Sequence, residues 1–245
     1  MGRRWWVVAF LVLASVAVLQ PVAAAPEPAA GEGATPARIV GLRIKRGTLN
    51  AGQDDIGAFH ILGEVLNASN KKVLLPQVEV RLIGANGQVF RTIPAYTSCI
   101  FYMRPRDVAP FDVQFFEPKP IKDFQISVKG IVSNRQAMRG VSFSDLEFSI
   151  VPAGPLAGFI QVGGIIRNRS RFDYLFPEVC VAGVNAQGKF VIVGQVPTAT
   201  LQLPRGQINT FQGQVGAYPV PTAAGVRFYV KVCTEDDVVD FGCGG

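Results

Sequence analysis

From Arg38 onward the chain is written in short apolar runs broken by Gly, Pro and Asn, and no long stretch carries the 3.6-residue spacing of an amphipathic helix. Within each run the apolar residues recur every second position, so they share one face of an extended strand. Val40, Leu42 and Ile44 do so in VGLRIKR, Phe59, Ile61, Gly63 and Val65 in FHILGEVLN, and Val78, Val80 and Leu82 in QVEVRLI. The Asn-Gly pair of ANGQ, residues 85–88, predicts a tight hairpin with backbone of positive φ, and Val89 and Phe90 begin the return strand. FDVQFF and DFQISVKGIV add two further strands. The pattern predicts a protein that is nearly all β.

The pattern also repeats. GEVLNASNKKVLLPQVEVRL, residues 63–82, is echoed by GIIRNRSRFDYLFPEVCVAG, residues 164–183. On one register Gly63, Asn67, Ser69, Pro76, Val78, Val80 and Gly87 meet Gly164, Asn168, Ser170, Pro177, Val179, Val181 and Gly188, seven identities that mark a repeated structural unit. Further along, Pro105 and Arg106 correspond to Pro204 and Arg205, Phe111 to Phe211, and ISVK to FYVK; upstream, LRI at Leu42 parallels LEFSI at Leu146. Two copies follow, 38–133 and 140–234, joined at NRQAMRG and trailed by an acidic segment, 235–245. Short strands with turn signals about 8 to 12 residues apart, in units of this size, predict two tandem immunoglobulin-like antiparallel β-sandwich domains. The unit itself reads as strand, polar turn, strand. Asn67 and Ser69 hydrogen-bond the turn backbone, and Pro76 opens the next strand without breaking a ladder.

The order of a hydrophobic strand, G-x-h-x-N-x-S, then P-x-V-x-V-x-L and x-G-x-V resembles the FxLyD family of extracytoplasmic bacterial domains and related bacterial domains of unknown function. The likeness covers both copies. It departs from the family at the naming motif, whose Tyr-Asp falls on Ile83-Gly84 in the first copy and on Val184-Asn185 in the second. The resemblance implies an immunoglobulin-like fold in an exported or membrane-attached protein, with no general catalytic activity.

The first residues agree with export. Arg3 and Arg4 precede an apolar run from Trp5 to Leu19, followed by QPVAAAPEP, the order of a secretory signal. That run falls short of the roughly twenty residues of a membrane-spanning helix. Val22 and Ala24 fit the small-x-small rule, so a signal helix spanning 1–24 is expected, cleaved before Ala25; the alternative is an uncleaved N-terminal anchor. Residues 25–37, rich in Pro, Ala, Gly and Glu, read as a flexible linker. Loss of residues 1–24 removes two basic residues and no acidic one, so the net charge of +6 falls to +4. The remaining Lys and Arg are scattered, which argues against nucleic acid as a partner.

The chain carries a single histidine, His60, and no Ser or Cys in a nucleophile motif, so no catalytic residue is assigned and the protein is read as a non-enzyme. The cysteines are widely spaced, without C-x-x-C pairs, so no metal and no cofactor is expected. Cys99, Cys180, Cys233 and Cys243 are even in number in an exported chain, which predicts disulfides. Of three connectivities, Cys180 with Cys233 is preferred if their strands are neighbours, ahead of Cys233 with Cys243, and a free thiol stays open. Both Cys180 and Cys233 alternate off the core of the second copy. Glu235, Asp236, Asp237 and Asp240 lack the spacing of a calcium loop and read as a solvated tail. The sequons NAS at Asn67 and NRS at Asn168 sit where Asn and Ser have turn-forming work.

Residues 95–106, AYTSCIFYMRPR, gather Tyr96, Phe101, Tyr102, Arg104 and Arg106, types enriched at protein interfaces, and form the candidate partner-binding segment. The second copy has VPTATLQLPR there and has lost the aromatics. The expectation is an exported binding, adhesion or scaffold module of the bacterial cell envelope with a protein or envelope partner. Membrane association is expected only if the N-terminal segment stays uncleaved, giving an anchored accessory domain.

Overall fold

The computed structural model describes residues 39, 41–54, 56–97, 100, 102–133, 140–151, 159–216 and 223–235. The expected signal helix, the linker, Cys99, Phe101, Cys243 and the tail beyond Glu235 lie outside them. The described chain is all-β, with antiparallel pairing throughout and one 3₁₀ turn, Arg46–Thr48.

The first eight strands are β1 (Leu42–Ile44), β2 (Asn50–Gln53), β3 (Phe59–Asn67), β4 (Val73–Ile83), β5 (Val89–Tyr96), β6 (Tyr102–Met103), β7 (Val108–Phe115) and β8 (Asp123–Val132). They build two sheets, one with β3 between β7 and the β1/β2 edge, the other with β4 between β8 and the β5/β6 edge. Ile61, Val65, Phe111 and Val113 of one sheet and Val78, Val80, Leu82 and Val128 of the other fill a shared apolar core, the layering of a β-sandwich. The remaining strands are β9 (Val141–Ile150), β10 (Ile160–Asn168), β11 (Tyr174–Val184), β12 (Phe190–Pro197), β13 (Gln202–Leu203), β14 (Ile208–Val215) and β15 (Gly225–Cys233). They form the sheets β14-β10-β9 and β12-β11-β13, the latter with β15 on β11, around a second core that includes Ile160, Ile166, Val179, Val181 and Phe211.

The repeated residues hold equivalent posts in both sets of strands. Asn67 and Asn168 are fully buried. Asn67 Nδ2 donates to the carbonyls of Lys71 and Met103 at 2.8 and 3.3 Å, and Asn168 Nδ2 to those of Phe172 and Leu203 at 2.7 and 2.8 Å. Each Oδ1 accepts the N–H of the Ser two residues on, at 3.1 Å for Ser69 and 2.9 Å for Ser170. Both amides are thus turn organisers, and the sequons have a structural cause. Gly63 and Gly164 leave room for an aromatic ring, since a Cβ there would stand 3.0 Å from Phe111 and 2.9 Å from Phe211.

The hairpin at 84–88 forms with positive φ at Gly87 (75°), and the Gly84 N–H donates to the Gln88 carbonyl at 3.0 Å beside a register shift of the ladder. Two details differ from the sequence reading. Pro76 and Pro177 lie inside β4 and β11, not at their starts. Each follows a residue of positive φ, Leu75 (47°) or Phe176 (48°), at a bulge where the ladder slips by one residue, and there the missing N–H is harmless. Finally, the counterpart of Leu42 is Val141, not Leu146: Leu42 faces Asn67 and Val141 faces Asn168. Gly41 and Gly140, both with positive φ, press within 2.8 Å (Cβ position) of the backbone N of Ser69 and Ser170 and fix this correspondence.

Removing either organiser strands two carbonyls, one of them of a buried residue, and one N–H. Asn67→Ala and Asn168→Ala are each expected to lower unfolding free energy by roughly 2–3 kcal/mol. Denaturant melts of the two variants check this; an effect under about 0.5 kcal/mol would show that water satisfies the turn instead.

Candidate functional site

Of the segment 95–106, Ile100 and Tyr102 pack toward the second set of strands. Ile100 packs on a cluster that joins Leu62 of β3 to Cys180, Ala182, Phe190 and Tyr229 of the second set of strands. Tyr102 packs beside Leu74 and Cys233, and its hydroxyl donates to Ser133 Oγ at 3.1 Å. Arg104 Nε donates to Asp107 Oδ2 at 3.1 Å. Arg106 is an exposed turn residue with φ 72° whose N–H donates to the Asn67 carbonyl at 2.7 Å. Tyr96 closes β5, and Phe101 lies outside the described residues. Of the candidate partner-binding residues, Tyr102 belongs to a joint within the chain, next to Ile100.

At the centre of that joint stands Glu64, which the alternation of β3 places on the face away from the first core. It is 1% exposed. Tyr229 Oη donates to Glu64 Oε1 at 2.5 Å, Arg227 Nη1 stands 2.8 Å from the same oxygen, and Lys45 Nζ donates to Oε2 at 3.1 Å. The Glu64 N–H donates to Thr48 Oγ1 at 2.9 Å, and the Thr48 hydroxyl donates to the Lys45 carbonyl at 2.8 Å. The Arg227 guanidinium also lies 5.5 Å from the Phe190 ring centre. Burial pushes the Glu64 carboxyl up, but donation from Tyr229, Arg227 and Lys45 outweighs it and holds the group below the ordinary carboxylate range. Burial and the adjacent carboxylate push the Tyr229 hydroxyl far up, so it stays a donor. Nothing in the local pattern of β3 marks Glu64 as buried, because an acidic residue on an outward face ordinarily meets water.

Cys180 and Cys233 do alternate off the second core, as expected, yet both are fully buried because the joint covers their face. The structure does not bring them together. In the β11–β15 ladder Cys180 lies opposite Tyr229, whereas Cys233 lies opposite Leu175. Five residues of strand, about 17 Å, separate the two positions, far beyond disulfide reach. Neither is a free thiol.

His60 lies between two carboxylates, Nδ1 at 2.9 Å from Asp112 and Nε2 at 3.3 Å from Asp54. The bond to Asp112 raises its pKa above the ordinary histidine value. Among the described residues no group of three His, Cys, Asp or Glu side chains is placed to hold a metal. A cleft of about 220 Å³ does open at the joint, and its charged side chains Arg104, Asp107 and Lys231 are held in ion pairs, the last with Glu178 at 3.6 Å.

A larger groove, about 870 Å³, runs where β1 and β8 come together at the edge of the first two sheets. Arg43, Lys45, Arg46, Arg81 and Lys129 line it, over a floor that includes Leu42, Ile44, Ile126 and Val128. Glu79 takes Arg81 at 2.9 Å and Lys129 at 2.5 Å. Sequence reasoning missed this groove because its cations are scattered along the chain.

None of the protein-family models compared matches the chain, and no curated protein matches it. Among solved structures, red sea bream transglutaminase aligns over 81% of this chain and 30% of its own at 8% identity, with a TM-score of 0.25. Procruciferin, an 11S globulin of Brassica napus, aligns over 77% of this chain and 86% of its own at 11% identity, with a TM-score of 0.12. The chain therefore spans under a third of the transglutaminase, and neither likeness carries an argument about fold or function.

Two outcomes follow for the joint. A carboxyl held below its unfolded value contributes stability that is complete above the ordinary glutamate pKa of about 4.5 and is lost as pH falls through the folded value. Glu64→Leu is expected to cost about 2–3 kcal/mol near neutral pH, by leaving the Tyr229 hydroxyl without its acceptor, and to flatten the acid limb of a plot of melting temperature against pH. An unchanged acid limb would show that other carboxylates govern it. Peptide mapping of the oxidised protein is expected to recover Cys180 and Cys233 in separate bridges, to Cys99 and Cys243 respectively, since Ile100 packs on the cluster of Cys180; a Cys180–Cys233 peptide would refute the register.

Proposed function

We propose that this chain is an exported, non-catalytic binding or scaffold protein of the bacterial cell envelope, in which two immunoglobulin-like repeats act as one rigid body. The observation that carries this reading is the joint. A carboxylate removed from water and matched by Lys45 of its own repeat and by Arg227 and Tyr229 of the other is favourable in one mutual arrangement of the repeats and costly in others, so Glu64 fixes their orientation. Fixed orientation serves a module that must present or space a surface, and it adds nothing to a pair of independent beads on a linker. The closed state of Cys180 and Cys233 agrees with an oxidising compartment outside the cytoplasm. No helix among the described residues is long and apolar enough to cross a membrane.

The test is to purify the protein from its native envelope after crosslinking and to read its N-terminus and crosslinked peptides by mass spectrometry. The expected result is a mature chain beginning at Ala25 with a stoichiometric partner crosslinked to it. A chain that begins at Met1 or Gly2 and needs detergent would replace export with anchoring, and a chain with no partner under any crosslinking condition would remove the binding-module reading.

A further inference from the structure

The β1/β8 groove carries more positive charge than the protein itself neutralises. Lys45 is held by Glu64, and Arg81 and Lys129 share Glu79, but Arg43 and Arg46 have no ion-pair partner among the described residues and both are exposed. The groove lining also contains a buried hydroxyl, Ser127 Oγ, that makes no hydrogen bond among the described residues. A buried polar atom without a partner is rare in folded proteins, and here it sits in the lining of a charged groove. Among the described residues the strands that border the groove also have open edges: β1 is laddered only to β3, and β8 only to β4. Edge strands left open in this way present unpaired backbone donors and acceptors that suit another extended chain.

We propose that this groove docks an extended acidic segment of a partner polypeptide, which names the partner class for the binding-module reading and rests on it. Each feature answers one part of such a ligand. Arg43 and Arg46 receive carboxylates with their planar donor forks, the Ser127 hydroxyl donates to a carboxylate or backbone carbonyl, and the open edges pair with the segment's backbone. The lining of β8 from Gln125 to Lys129 is about 17 Å long, so the segment spans roughly five to seven residues. A polysaccharide would satisfy the charges but not the strand edges.

The experiment uses the mature, oxidised protein and fluorescence anisotropy with a labelled octaglutamate peptide, against octalysine and a sulfated oligosaccharide of matched charge. Expected are saturable binding of octaglutamate, none of octalysine, weaker binding of the oligosaccharide, and a loss of at least tenfold in the R43E/R46E variant, whose melting temperature stays within a few degrees of the parent. Absence of octaglutamate binding, binding unchanged in R43E/R46E, or tighter binding of the oligosaccharide would overturn the proposal. Native crosslinks to a partner that touch only surfaces away from the groove would overturn it too, while leaving the binding-module reading in place.

Discussion

A single carboxylate, Glu64, sits out of water where the outward face of β3 meets the outward face of the β11/β15 sheet, and much of the arrangement follows from satisfying it. Its three donors come from two places: Lys45, just past the end of β1, and β15 through Arg227 and Tyr229. Lys45 belongs to the same set of strands as Glu64, whereas Arg227 and Tyr229 reach it only across the joint. The apolar cluster of Leu62, Ala182, Phe190 and Tyr229 excludes water around the network, which strengthens each of its bonds and makes any missing one expensive. The same cover buries Cys180 and engages Ile100.

The joint also accounts for how the two copies diverged. What they share is turn chemistry: the buried Asn, the Ser two residues on, the Gly beneath the Phe ring and the bulge before Pro. These residues solve problems internal to one set of strands, and both sets face the same problems. What they do not share lies where each copy meets the other. Ile100 and Tyr102 pack against the second set of strands, whereas the corresponding VPTATLQLPR segment carries no aromatic residue. The edge of the first copy also takes its own form. There the chain makes the 3₁₀ turn Arg46–Thr48 between β1 and β2, which brings Arg46 to the groove, while the second copy runs a continuous β9 with a bulge at Asp145.

For function, the two surfaces divide the labour. The joint is closed, with its ionisable groups bonded to one another, and works by holding an arrangement. The β1/β8 groove is open, and among the described residues it holds two arginines without an ion-pair partner and a hydroxyl without a hydrogen bond. His60 between Asp54 and Asp112 belongs with the first kind: both ring nitrogens are engaged by carboxylates of the same sheet region, so the imidazole fastens the start of β3 to β7.

The period-two alternation, the Asn, Gly and Pro signals and the internal echo were enough to read an all-β chain of repeated units, because strand facing and turn geometry are decided by residues within a few positions of each other. The structural role of Asn67 and Asn168 and the off-core facing of Cys180 and Cys233 were legible for the same reason. Alternation says which way a side chain points; it does not say whether water or protein lies there. Whether the outward face of β3 meets solvent or a second sheet depends on two repeats about a hundred residues apart in the chain, and so does the burial of Glu64 and Cys180. The ladder register that separates Cys180 from Cys233, and the gathering of Arg43, Arg46, Arg81 and Lys129 around one groove, are likewise products of long-range pairing. Those were decided only by the tertiary structure, since no local interaction distinguishes a strand face that will be covered from one that will stay wet.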